Sequence, residues 1–159
     1  MSSDVAKITL GSETLWERQD PNTTWIELPD NGTKGTDFVG MEIMKFDPQT
    51  GIAAFKGIRA VTIPSGEGIK KWRLALELPN GYSFASNNPA TFTIGDSGAG
   101  GGHAVPMKYD GNKCYGQISN NYAANQGSQT WVLNNSYGGP GAANVLFSAD
   151  IQFNVIKED

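Results

Sequence analysis

The sequence predicts an all-β fold, an antiparallel β-sandwich or barrel of jelly-roll-like type, and three observations carry that prediction. Apolar runs are short and are interrupted by Gly, Pro or Asn every several residues, so no helical period is sustained. The chain holds 20 Gly and 8 Pro with only 18% charged and 38% hydrophobic residues. The balance is largely Asn, Ser and Thr, which favour turns over helix interiors. Several runs also alternate apolar and polar residues at the period of a strand. A chain of 159 residues can form one compact domain, burying about 70% of its unfolded surface without disulfide support.

In chain order, Lys7 to Leu10, a turn at Gly11-Ser12 and Thr14 to Trp16 read as a small hairpin. Residues 1–30 therefore form a candidate N-terminal attachment segment, and residues 31–159 the main β domain. Thr24 to Leu28 is a short strand stopped by Pro29-Asp30-Asn31-Gly32, and Phe38 to Phe46 is a third. Ile52 to Ile63 is a long β-rich run that Pro64-Ser65-Gly66 must end. In Trp72 to Leu78, residues Trp72, Leu74, Leu76 and Leu78 fall on one face at period two, which predicts a strand with that face buried. Pro79-Asn80-Gly81 is a turn, because Pro presets φ and Asn-Gly tolerates positive φ. Thr91 to Ile94 leads into a Gly-rich loop from Gly95 to Gly102. His103 to Tyr109 and Lys113 to Ile118 follow as a hairpin turned at Asp110-Gly111. A polar stretch, Ser119 to Gln129, precedes a strand at Thr130 to Leu133, and Asn144 to Val155 closes the series.

Composition removes several function classes. A net charge of −4 and a pI near 4.9 leave no basic footprint for nucleic acid or for an anionic membrane surface. One Cys, Cys114, and one His, His103, cannot build a disulfide framework or a four-ligand zinc site. No run approaches the length of a membrane span, and the opening residues lack a basic stretch followed by an apolar one. The expectation is a protein with no visible export signal, no membrane insertion, no cofactor and no metal.

Two strings look catalytic in isolation. Gly95-Asp96-Ser97-Gly98 resembles the nucleophile motif of chymotrypsin-type proteases; a Ser nucleophile needs an imidazole within hydrogen-bond reach and an acid to orient it, and in that family both lie upstream of the Ser. Here His103 lies downstream in the same loop. The glycines that follow cannot cradle a phosphate, because a strand stands where a helix N-terminus is needed. Glycoside hydrolysis needs two carboxylates at a fixed separation. Between Tyr82 and Val155 the acids are Asp96, Asp110 and Asp150, and Asp110 belongs to its turn. Asp110-Gly111-Asn112 offers too few oxygens for calcium. The sequence is thus read as non-enzymatic.

From His103 to Tyr137 the chain is rich in neutral polar and aromatic residues. Saccharides present apolar ring faces and many hydroxyls, so a site for them combines aromatic platforms with amide partners. Trp131, Tyr115, Tyr122 and His103 are the stacking candidates, and Asn120, Asn134 and Asn135 the hydroxyl partners. The competing reading is that the asparagines are loop residues and that Trp131, between Thr130 and Val132, is core.

Two passages resemble proteins of phages that infect Gram-positive bacteria. Ala6 to Glu17 looks like the strand-Gly-strand-Trp phrase of their tail and baseplate proteins. Leu78-Pro79-Asn80-Gly81-Tyr82, then Tyr109-Asp110-Gly111-Asn112, Trp131 and a closing strand from Phe147 to Phe153 are similar to the head domains of tail-tip receptor-binding proteins. The resemblance implies a virion protein of the tail tip or baseplate, usually homotrimeric, partnered by other tail proteins. It also implies adhesion to a host cell-wall polysaccharide or teichoic acid without cleavage. No heptad pattern precedes the first strand, so the sequence carries no coiled-coil neck. The alternatives are a structural baseplate or decoration protein whose polar aromatic face is a subunit interface, and a carbohydrate-binding module of a wall-degrading enzyme.

Overall fold

The computed structural model describes residues 7–10, 13–17, 24–68, 70–96, 102–120, 127–134 and 152–158. All the regular structure among them is strand, and no helix long and apolar enough to cross a membrane occurs among them. The fold is all-β, of sandwich or barrel type, as the composition predicts. Strands β1 (Lys7–Leu10) and β2 (Glu13–Glu17) pair antiparallel as a two-stranded sheet of their own. The other ten form one antiparallel sheet: β3 (Ile26–Glu27), β4 (Glu42–Asp47), β5 (Ile52–Ile63), β6 (Lys71–Glu77), β7 (Tyr82–Phe84), β8 (Thr91–Asp96), β9 (Gly102–Asp110), β10 (Lys113–Ile118), β11 (Gln129–Asn134) and β12 (Gln152–Lys157). β3 lies within residues 1–30 yet pairs with β4, so it belongs to the larger sheet.

β5 organises the molecule because it serves two sets of partners. Its first half pairs with β4 on one edge and β12 on the other, and its second half pairs with β11. From β11 the sheet runs through β8, β9 and β10 to β6. It then curls back on β5 through residues 37–39. Phe38 donates its N–H to the Leu74 carbonyl of β6 (2.9 Å), and Val39 and Ala60 of β5 exchange backbone hydrogen bonds (3.0 Å). The Asp37 carboxylate stands in for a strand carbonyl, accepting the Leu74 N–H at 2.8 Å. Its second oxygen accepts from the Thr33 N–H at 3.2 Å, which fixes the loop that makes the closure.

β5 alternates inward and outward along its length, with Ala53, Phe55, Arg59, Val61 and Ile63 buried. Gly57 falls in that inward row at φ 130°, where L side chains are strained, and a Cβ there would collide with the Met41 carbonyl of the neighbouring chain. Gly40 makes the reciprocal approach to Ile58. The two glycines let backbone meet backbone beside a buried charge pair: Arg59 Nε lies 3.5 Å from Glu42 Oε2, both side chains fully enclosed. Arg59 also donates to the Pro29 carbonyl at 2.6 Å. Burial pulls its guanidinium below the ordinary value, and Glu42 opposes that shift; arginine stays charged regardless.

The apolar core is dominated by aromatic rings around Phe153 of β12. Phe55, Phe84, Phe92 and Tyr109 surround it with centroids 4.9 to 6.1 Å away, in the edge and tilted arrangements that ring quadrupoles favour. Full burial of each such side chain is worth about 1.5–3 kcal/mol.

Two local expectations are corrected by the pairing. The β9–β10 loop is Gly111-Asn112, because Asp110 pairs with Lys113; only Gly111 has positive φ, at 55°. That pattern is the type II′ choice, with Gly at the first loop position. In β6, Leu76 pairs with Cys114 but Leu74 pairs with Tyr115, so Ala75 is an extra residue, a β-bulge. A one-residue bulge exchanges the two faces of a strand. Leu76 and Leu78 therefore enter the core, whereas Trp72, on the same face by simple alternation, is 40% exposed on the other side. The expected strand at 144–151 and the loop at 97–101 lie outside the described residues.

Candidate saccharide-binding site

The outer surface of β6, β10 and β9 carries one continuous polar aromatic patch. On β10, Cys114, Gly116 and Ile118 are buried, and Lys113, Tyr115 and Gln117 face out. Tyr115 sits opposite Lys108 of β9, and Gln117 opposite Trp72 of β6. Directly opposed residues share a face, so the four side chains form a cluster. The Lys108 ammonium lies 5.0 Å from the Trp72 ring centroid and 4.9 Å from that of Tyr115. Exposed contacts of this kind are worth about 0.5–1 kcal/mol each and hold two rings around one cation.

The ladder between β9 and β10 ends at the Gly116–Met107 pair. Beyond it, β10 stays with β6 and β9 stays with β8, where Pro106 pairs with Thr91 and His103 with Ile94. Pro106 has no N–H to donate across to β10. A cleft of about 140 Å³ opens in this gap, lined by residues that include Lys70, His103, Gln117, Ser119 and Trp131. Gln117 joins the cleft to the aromatic patch. The described lining residues supply ring, amide, hydroxyl and ammonium groups, which suits the binding of hydroxyls.

Of the residues singled out in the sequence, His103 and Trp131 meet in this cleft, their rings edge to face at 5.2 Å. Trp131 is nevertheless 2% exposed, and its indole N–H donates to the Ser119 carbonyl at 3.0 Å. It forms the floor of the cleft as a core residue. Asn120 is buried as well, and its amide donates to the carbonyls of Ile63, Pro64 and Gly127 at 3.2, 3.0 and 2.9 Å. It pins the strand ends behind the cleft. Tyr115 faces outward in the patch. The backbone of Asn134 ends β11 opposite Ile58. Tyr122 and Asn135 lie outside the described residues. Trp72, Lys108, Gln117 and Lys70 complete the surface and escaped the sequence reading. Only the partnering of β10 with β6 and β9 could have pointed to them.

The flanking charges are locally neutralised. Glu67 accepts from Lys71 at 2.6 Å and from Arg73 at 2.8 Å, and these contacts, Lys71 first, hold its carboxyl below the ordinary 4.5. Lys113 lies 3.9 Å from Glu77. Beneath the patch, burial raises the Cys114 thiol well above its ordinary value, and burial also raises the Tyr109 phenol, whose hydroxyl donates to the Pro89 carbonyl at 2.7 Å. No group of three or more metal-ligating side chains occurs among the described residues. Comparison with protein-family models, characterised proteins and solved structures finds no match to this chain.

Proposed function

We propose that this protein is a non-catalytic adhesin of a phage tail tip that holds a host cell-wall polysaccharide or teichoic acid on the outer face of β6, β9 and β10. One observation carries the binding role: the exposed Trp72 indole stands beside Tyr115, Lys108 and Gln117 on paired strands, with the His103 cleft opening next to them. Pyranose faces stack on such rings, the Gln117 amide pairs with hydroxyls, and Lys108 and Lys70 suit phosphate or carboxylate substituents. The phage setting rests on the sequence resemblance, and the β1–β2 hairpin is the element assigned to attachment. A single shallow site binds weakly, and repetition on a homotrimer and a virion supplies avidity of about 10²–10⁴.

The test is retention on purified Gram-positive cell walls, with Trp72→Ala and Tyr115→Ala as probes and molar mass in solution measured alongside. Loss of retention by both variants, with folding intact, supports the reading. Retention equal to that of the unaltered protein removes it. A structural baseplate protein is the second reading, favoured by the enrichment of Trp and Tyr at subunit contacts. It predicts that the same two substitutions abolish co-purification with another tail protein and leave wall binding untouched.

A further inference from the structure

A second tryptophan, on another part of the sheet, is flanked by cations. Trp25 precedes β3 and is half-buried, with the Lys56 ammonium 4.5 Å and the Lys45 ammonium 5.6 Å from its ring centroid. Both lysines face outward, since Met44, Phe46 and Phe55 beside them are buried. Lys45 stands opposite Ala54, and Lys56 opposite Ile43. The Trp25 ring lies beside both ammonium groups.

Lys56 also borders an apolar depression of about 260 Å³ formed with Met41, Ile43, Gly57 and the Glu42 backbone. Met41 is 74% exposed and Ile58 49% exposed, two of the four exposed large hydrophobics among the described residues. Gly57 lines the depression with its backbone, which lies against the backbone of Met41 and Glu42. An indole, two cations, an apolar hollow and the exposed Glu27, opposite Ile43, thus share one surface of a protein whose net charge is −4.

Each part selects a different chemical group. The indole takes a sugar ring face, the paired ammonium groups take a carboxylate or phosphate, and the hollow takes a methyl such as that of an acetamido group. We propose that the Trp25–Lys45–Lys56 surface is a second ligand site, specific for an acidic, N-acetylated sugar. It shares no residue with the Trp72 patch and stands on its own observations.

The experiment is a titration of the ¹⁵N-labelled protein with N-acetylmuramic acid, which carries both a carboxylate and an acetamido group. The Trp25 and Trp72 indole N–H signals, assigned by substitution, report the two surfaces separately. The expected result is a saturable shift of the Trp25 indole and of the Lys45 and Lys56 amides. N-acetylglucosamine, lacking the carboxylate, and muramic acid, lacking the acetyl group, are expected to bind more weakly. Lys56→Gln is expected to weaken binding roughly two- to fivefold, the size of one exposed ion contact. Trp25→Phe keeps a ring for folding and should weaken it less than Trp25→Ala. The Trp72→Ala variant should leave the Trp25 response unchanged. Shifts confined to the Trp72 indole overturn the second site and leave the first standing. Equal affinity for N-acetylglucosamine overturns the acidic specificity, and no shift of the Trp25 indole with any of the three sugars overturns the site outright.

Discussion

The interior around Phe153 and the interior around Arg59 meet along β5 and are filled by opposite means. The first is filled with rings: Phe55, Phe84, Phe92 and Tyr109 close on Phe153, and Phe46 of β4 packs edge-on against Tyr82. The second is filled with charge, Arg59 of β5 against Glu42 of β4, four residues along each strand from Phe55 and Phe46. Ring packing tolerates small adjustments, because dispersion is non-directional. A buried ion pair does not, since both charges have left water and need each other at close range. Gly40 and Gly57 supply that rigidity by locking the two backbones together at the charged end. The difference teaches that the aromatic half supplies most of the burial, whereas the charged half fixes which residues of β4 and β5 face each other.

The comparison can be broken most severely by removing one charge. Glu42→Ala leaves Arg59 buried without its carboxylate and should cost about 3–5 kcal/mol in urea unfolding. Replacing the pair together, Glu42→Leu with Arg59→Met, should recover most of that loss, and failure to recover it would show that the charges do more than satisfy one another. Phe153→Ala should cost a similar amount, about 3–5 kcal/mol, but with no rescue by any single partner change. Asp37→Ala removes the acceptor of the Leu74 N–H at the closure and should cost about 1–3 kcal/mol, the penalty of an unmet buried donor. Amide exchange at Leu74 should rise with it.

Smaller effects sharpen the contrast at the surface. Glu67 has a folded pKa below its ordinary 4.5, caused first by Lys71. Its contribution to stability is therefore complete above that ordinary value and is lost as pH falls through the lowered folded value. The gap in unfolding midpoint between the unaltered protein and Glu67→Gln should close with acidification. Trp72→Ala should change stability by no more than about 0.5 kcal/mol, even though it removes a whole indole from the proposed site. A large loss there would place Trp72 among the structural residues instead.

Much of the fold was legible because turns and alternation are local. Ile52 to Ile63 is one strand to the residue, and the hairpin of β9 and β10 follows from its glycine. The surface was legible only in part. Trp131 carries the same side chain as Trp72, yet a central strand buries one and a bulged edge strand exposes the other. Residues 72 to 78 alternate without interruption, so nothing in the sequence marks Ala75 as extra. The bulge is defined by pairing with β10, about forty residues further on. Asn120, rich in hydrogen-bonding capacity, spends it on the adjacent carbonyls of Ile63 and Pro64, more than fifty residues earlier, and on that of Gly127.

The placement of β12 has a consequence for how the chain reaches this state. Phe153 lies beside Ala53, roughly one hundred residues earlier, and contacts of such separation make folding slow. Until β12 docks, one edge at the start of β5 and the whole of β7 lack their partner, and the rings gathered around Phe153 have nothing to close upon. The aromatic core is therefore completed late, and its unpaired edges are the parts most open to wrong association before it is.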